Sequence, residues 1–207
     1  MQKDHLQENI EMAKEKFANH IAQHWKIDGE NPIEILDWRN PNGSRFYHIR
    51  YIFDKVGSTI VIDGDLGAAV VNPTWEATLE KTMEIGINPE YFLEKCMVTS
   101  DDYTYYRPIA EEETRKRLKE IAATDKTELF SYCSVERLLS RLLEDFSIYE
   151  GFRLSADNET LLSKVDPDWR EWLYGCGKRV HPRVIMWLVG LQMAGEKLFC
   201  KGANRNG

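Results

Sequence analysis

Residues 46–71 read FYHIRYIFDKVGSTIVIDGDLGAAVV. β-Branched and aromatic residues dominate this stretch, and the turn sequences DKVG and DGD divide it into short segments. Such segments form antiparallel strands joined by tight turns, and the segment before the turn sequence NPNG has the same character. The predicted strands are residues 33–38, 46–53, 58–62 and 66–71. We therefore predict a small antiparallel meander of three or four strands.

Helices are predicted on both sides of this sheet. Apolar residues recur every three or four positions from Leu6 to Trp25, which predicts one helix over that range. The further predicted helices are residues 75–85, a helix that starts at Asn88-Pro89, residues 109–121, residues 129–149, a short helix from Asp166-Pro167 to Tyr174, and a last helix from His181-Pro182 to about Phe199. A small sheet followed by many helices indicates the α+β class, with regions at 1–107 and 108–207 that form one compact domain or two packed subdomains.

The composition excludes a disordered or membrane-spanning chain. Of the 207 residues, 43% are hydrophobic and 29% are charged, which is enough apolar surface for a core. The longest apolar run, residues 184–191, is far shorter than the roughly 20 residues that span a bilayer. The first residues are charged, so we expect no signal peptide. The cysteines lie far apart with no CxxC pair, which predicts reduced thiols in a cytoplasmic protein: Cys96, Cys133, Cys176 and Cys200.

Charge is unevenly distributed along the chain, whose net charge is −7. Residues 54–102 carry three bases and ten acids, and residues 173–207 carry six bases and one acid. Charged runs usually serve solubility, but they also form docking patches. The acidic residues predicted to contact a partner are Asp63, Asp65, Glu76, Glu80 and Glu84.

Bases and aromatic residues alternate over residues 169–183, which suits contact with RNA or DNA. The predicted phosphate contacts are Lys178, Arg179 and Arg183. The same pattern also fits a core helix followed by a basic loop, and the net negative charge of the chain argues against a dedicated DNA binder.

The hairpin around Asp54 to Gly57 offers the best candidates for catalysis. Pairing of Phe53 with Ser58 would place Ile49 and Tyr51 on one face, with His48 opposite Asp63 on the other. His48 as base and Arg50 as electrostatic partner would suit chemistry on a phosphodiester. They equally fit a structural ion pair, because no second acid, nucleophile or metal set accompanies them.

No metal or cofactor site is predicted. His20 and His24 stand four residues apart, a spacing that can bind a metal, but no third ligand is identifiable and His24 is better explained as a packed core residue. The glycines around Asp63 and Asp65 match neither a phosphate loop nor a calcium loop.

Three segments carry a family resemblance: DWRNPNGS (37–44), YHIRYI (47–52) and IDGDLGAAV (62–70). This pattern, which covers residues 33–72, resembles that of uncharacterised proteins of phages and mobile elements of Firmicutes. Small accessory proteins of such elements often counter host defences, and some are anti-CRISPR proteins that block an effector nuclease or its guide RNA. The resemblance implies such a role and carries over no catalytic residue.

We therefore expect a cytoplasmic defence inhibitor that docks on an effector nuclease or its nucleoprotein complex. The acidic residues would occupy the nuclease's basic channel, and the basic end would hold RNA or DNA. One alternative is a small nuclease that cleaves RNA with His48, Arg50 and Asp63. The other is a non-catalytic phage accessory or assembly protein.

Overall fold

A computed structural model of the protein describes residues 2–100, 102–124 and 132–203. The chain forms two compact units: residues 1–102 with 180–207, here called the sheet unit, and residues 103–179, here called the helical unit. The predicted α+β class is confirmed. The last helix, which we had grouped with the second region at 108–207, belongs to the sheet unit.

The sheet unit contains a six-stranded antiparallel sheet in which strand order follows chain order. Its strands are β1 (Ile21–Ile27), β2 (Ile33–Arg39), β3 (Ile49–Asp54), β4 (Thr59–Gly64), β5 (Ala69–Val71) and β6 (Cys96–Thr99). The predicted meander is confirmed, and the four predicted strands correspond to β2 through β5. The strands at the two edges, β1 and β6, were not predicted.

The predicted helix from Leu6 to Trp25 is wrong in its second half. The helix α1 spans Gln2–Lys16, and β1 follows after a short turn. Phe17, Ile21 and Trp25 are four residues apart, which fits a helix, but four is also a multiple of the strand period of two. All seven residues of β1 pair with β2, and this long-range pairing decides between the two conformations.

One face of the sheet forms the core of the unit. Its inward side chains are nearly inaccessible to solvent: Leu36, Trp38, Ile49, Tyr51, Phe53, Ile60 and Ile62. The helices of this unit are α1, α2 (Leu79–Met83), α3 (Pro89–Glu94) and α8 (Pro182–Ala203). As predicted, Asn88 caps α3 by accepting a hydrogen bond from the Tyr91 backbone N–H at 3.2 Å, whereas the helix predicted at 75–85 is shortened to α2.

The last helix, α8, covers this core face and is apolar on nearly all sides, as predicted. Gly190 allows its close approach, since a Cβ there would lie 3.0 Å from both the Ile49 side chain and the Tyr51 hydroxyl oxygen. That hydroxyl donates to the backbone carbonyl of Trp187 at 2.6 Å. A buried hydrogen bond thus fixes the helix on the sheet.

The register of the β3–β4 hairpin differs from the prediction by two residues. Tyr51 pairs with Ile62, and Arg50 rather than His48 lies opposite Asp63. The turn starts one residue later because the Asp54 side chain accepts a hydrogen bond from the Gly57 backbone N–H at 2.9 Å. A shift of two residues keeps each side chain on its predicted face.

The helical unit has its own core, formed by residues such as Leu138, Leu142 and Trp169. Its elements are β7 (Tyr103–Tyr105), α4 (Arg107–Thr124), α5 (Tyr132–Glu144), β8 (Phe146–Ser147), β9 (Gly151–Phe152), α6 (Ala156–Val165), α7 (Trp169–Leu173) and β10 (Lys178–Val180). The helix predicted at 129–149 ends at Glu144, because β8 pairs with β9 beyond it. Residues 129–131 of that prediction lie outside the described residues.

Candidate functional site on the outer face of the sheet

The face of the sheet opposite to the core carries a row of polar side chains. The row takes one residue from each of four neighbouring strands, paired in register: Gln23, Asp37, Arg50 and Asp63. Side chains alternate between the two faces of a strand, so the neighbours of these residues fill the core while the row points away from it. We call this surface the outer face.

Asp37 is the centre of the polar row and is only 2% exposed. Arg50 donates from Nε to Asp37 Oδ1 at 2.7 Å and from Nη2 to Oδ2 at 3.1 Å, which is a bidentate pair. His48 Nε2 lies 3.3 Å from the same Oδ1. Burial opposes ionisation of Asp37, but the hydrogen bonds from Arg50 and His48 outweigh it and lower the pKa of the carboxyl.

The loop between β2 and β3 positions His48. Polar side chains in the loop bind its own backbone: Ser44 Oγ accepts from the Phe46 N–H at 3.2 Å, and Asp65 Oδ2 accepts from the Tyr47 N–H at 2.9 Å. Tyr47 has a φ of +58°, which is uncommon for a residue with a side chain. Gly64 passes so close to the His48 carbonyl that a Cβ would collide with it. The conformation beside His48 is therefore fixed from several sides.

A pocket of about 280 Å³ opens at this loop. Its lining is almost entirely polar: Asp37, Arg39, Gly43, Ser44, Arg45, His48, Arg50, Asp63 and Gly64. Three guanidinium groups face two carboxylates there, so the lining has a net positive charge when His48 is neutral. Such a lining suits an anionic ligand.

The structure brings together the three residues of the enzyme alternative, His48, Arg50 and Asp63, and adds Asp37 as the second acid that sequence reasoning missed. A signal for Asp37 was present. It precedes Trp38 in a predicted strand, so a core position for Trp38 places Asp37 on the face of Arg50. Within the described residues, no three His, Cys, Asp or Glu side chains are grouped to hold a metal ion.

A second, apolar row runs across the same outer face. It takes one residue from every strand of the sheet, in register: Trp25, Ile35, Ile52, Val61, Val70 and Val98. The two ends of the row, Trp25 and Val98, are 45% and 66% exposed, and the four central residues are half-buried. A partly exposed apolar row beside a charged pocket is typical of an interaction surface.

The five acidic residues predicted to bind a partner fall into separate environments. Asp63 lines the pocket, and Asp65 holds the neighbouring loop. Glu76 pairs with Lys55 at 2.8 Å, and Glu84 pairs with Lys81 at 3.1 Å, while Glu80 is exposed. Glu76 and Glu84 also line a second pocket of about 380 Å³ beside the stacked rings of Trp75 and Tyr91.

The three predicted nucleic-acid contacts also differ in environment. Arg179 is 10% exposed and its Nη2 donates to Glu113 Oε1 at 2.7 Å, which indicates a structural role. The Lys178 ammonium lies 3.7 Å from the centre of the Tyr103 ring. Both residues belong to the helical unit, whereas Arg183 is an exposed residue of the sheet unit.

His20 and His24 do not share a helix. His20 is 2% exposed among the rings of Phe17 and Trp38, and burial lowers its pKa. His24 lies on β1 with Nε2 3.4 Å from Glu34 Oε2.

Two of the cysteines, Cys96 and Cys176, are free thiols. Burial raises the pKa of each to about 11, which makes the nucleophilic thiolate scarce. The side chains of Cys133 and Cys200 lie outside the described residues.

Among the helices of the described residues, none combines the length and the apolar character needed to cross a membrane. No family model, curated protein or solved structure matches the chain.

Proposed function

We propose that the chain is an inhibitor of a bacterial defence system, of the anti-CRISPR type, which docks on an effector nuclease or its nucleoprotein complex in the host cytoplasm. The observation that supports docking is the apolar row across all six strands of the outer face. The resemblance of residues 33–72 to mobile-element proteins supports the class of target.

The outer face has the composition of a protein interface. Interfaces combine a desolvated apolar centre with a charged rim, and aromatic and arginine side chains supply much of their binding energy. Here Trp25 ends the apolar row, and Arg39 and Arg50 stand in or beside the neighbouring polar row.

The acidic residues contribute to association in this proposal. Glu76, Glu80 and Glu84 are exposed, and long-range attraction between such carboxylates and a basic channel increases the association rate.

The test measures inhibition of a purified guide-loaded nuclease as increasing amounts of the protein are added. A docking inhibitor reaches full effect near one molecule per nuclease. Val98→Ala and Trp25→Ala each remove apolar area from the row, so the dose for half inhibition should rise about tenfold. Val56→Ala is the matched control, because Val56 is 62% exposed but lies in a turn away from the row.

Equal effects of Val98→Ala and Val56→Ala would contradict docking through the outer face. Failure to bind any guide-loaded nuclease would favour the accessory-protein alternative.

An RNA-cleaving enzyme is the second candidate, and the observation in its favour is Asp37. A buried carboxylate that orients a histidine is the arrangement of a general base, and Arg50 and Arg39 could stabilise charge on a phosphodiester. Loss of guide RNA at a small fraction of one molecule per nuclease, abolished by His48→Gln, would establish this candidate instead of docking.

A further inference from the structure

The charged side chains that line the 280 Å³ pocket differ in the hydrogen bonds and ion pairs they make. Asp37 is bound on both oxygens by Arg50. Arg39 donates from Nη2 to the neutral side-chain oxygen of Gln23 at 2.6 Å. The Arg45 carbonyl accepts from the His48 N–H at 3.1 Å, but no hydrogen bond or ion pair of the Arg45 guanidinium is found within the described ranges. Two guanidinium groups at the pocket therefore have no carboxylate bound to them in those ranges.

Phe46 stands in the loop between two residues of the pocket, Arg45 and His48. Its side chain is 75% exposed, although the backbone around it is held by Ser44 and Asp65. A large apolar ring held in solvent on an anchored loop has no role in the core. It offers a flat surface on which a nucleobase can stack.

We infer that this pocket binds a backbone phosphate of single-stranded nucleic acid through Arg39 and Arg45, with a neighbouring base stacked on Phe46. Guanidinium groups match phosphate oxygens in geometry and charge, and a stacked base needs no particular sequence. The biological partner rests on the proposed function, since a guide-loaded nuclease carries such a strand. Of the three predicted phosphate contacts at the basic end of the chain, Arg179 is bound to Glu113.

Asp63 limits the affinity of this site for a phosphate. It lies at the pocket opposite Arg50 and repels an anion, so the affinity is a balance between the arginines and this carboxylate. Removal of the Asp63 charge should therefore strengthen binding, a change that loss of folding cannot mimic.

The experiment measures binding of a fluorescent oligo(dT) or oligo(U) to the protein without any nuclease, at several salt concentrations. Arg39→Gln and Arg45→Gln should each weaken binding about tenfold and reduce the slope of log affinity against log salt. The double variant should reduce the slope by about 0.7, the value for one single-strand phosphate contact. Phe46→Ala should weaken binding about tenfold with the slope unchanged. Asp63→Asn should strengthen binding.

Arg153→Gln is the matched control, because it removes one exposed arginine charge in the helical unit. Equal effects of Arg153→Gln and Arg45→Gln on affinity and slope would overturn the inference, as would the absence of oligonucleotide binding. Inorganic phosphate and a mononucleotide serve as competitors. If they bind in an Arg45-dependent way while the oligonucleotide does not, the ligand is a small phosphate compound and the nucleic-acid assignment is wrong.

The oligonucleotide-binding experiment and the nuclease-inhibition experiment can fail independently of each other. Oligonucleotide binding is measured without the nuclease and depends on Arg39, Arg45 and Phe46, whereas docking depends on Trp25 and Val98. Nuclease inhibition that persists without oligonucleotide binding would overturn the phosphate site and leave docking intact.

Discussion

At the scale of single residues, the buried Asp37 carboxylate binds both Arg50 and His48. A buried carboxylate is costly unless it is paired and hydrogen-bonded, and here Arg50 and His48 meet that need. The pocket at the loop therefore depends on a charge that faces little solvent.

Asp37→Asn should lower the free energy of unfolding by about 2–3 kcal/mol near neutral pH, because hydrogen bonds to a charged partner are lost. The pKa of Asp37 is lowered in the folded protein, so its ionised form contributes stability above the unfolded-state value of about 3.9. That contribution is lost as the pH falls through the lower folded-state pKa.

The measurement is urea-induced unfolding of the wild type and the Asn variant at neutral and acid pH. The difference in unfolding free energy should be largest near neutrality and should shrink toward zero at the acid end. Asp63→Asn is the control, since Asp63 is exposed and should change stability by less than about 0.5 kcal/mol. A difference that is constant with pH would contradict the role of the Asp37 charge.

The grouping of His48, Arg50 and Asp63 on one face was predictable, because the period of a strand assigns faces without knowledge of register. The participation of Asp37 required the pairing of β2 with β3, which depends on contacts between distant residues. The sequence could not show that Arg39 and Arg45 have no carboxylate bound to them in the described ranges, because this depends on where the surrounding side chains lie.

At the scale of elements, the contact of α8 with the sheet sets the geometry of the core. The interior strands of the sheet, β2 to β5, were clear from the sequence, since β-branched residues alternate there. The edge strand β1 was missed because its apolar spacing fits a helix as well as a strand. Between Phe17 and Ile21 no Gly or Pro marks the change, and Asn19 is the one turn-favouring residue there.

Gly190→Ala should destabilise the protein by up to about 2 kcal/mol. Alanine favours a helix over glycine by about 1 kcal/mol. The new methyl group would, however, press on Ile49 and on the Tyr51 hydroxyl, and overpacking of a core costs about 1–3 kcal/mol.

Thermal unfolding of Gly190→Ala and of Gly195→Ala provides the comparison. In the same helix, the neighbour of Gly195 is the flexible end of Met83, which can move aside, so that variant should lose little or gain stability. Equal stability changes in the two variants would show that helix propensity alone decides the outcome.

At the scale of the whole molecule, the helical unit is inserted within the sequence of the sheet unit. The sheet unit ends at Asp102 and resumes at Val180, and the His181 backbone N–H donates to the Asp102 carbonyl at 2.9 Å. Both connections to the helical unit are therefore close in space.

Replacement of residues 103–179 by a short Gly-Ser linker should leave a folded sheet unit, because the joined ends are already hydrogen-bonded neighbours. The shortened protein should unfold cooperatively, with a melting temperature lowered by no more than about 10 °C, which corresponds to about 2 kcal/mol in a domain of this size. Near-UV circular dichroism reports the packing of Trp38 and Trp187. Loss of that signal together with binding of a hydrophobic dye would contradict the prediction.

The position of α8 after the helical unit in the sequence determines the order in which the parts of the sheet unit are synthesised. The strands β1 to β6 leave the ribosome before the helical unit, and α8, which covers the core face of the sheet, emerges after both. Tyr51, whose hydroxyl binds α8, therefore stays uncovered on a nascent sheet while the contiguous helical unit can already fold. A chain whose translation stops before α8 would release that sheet with its apolar face bare, which is the surface that chaperones and proteases recognise.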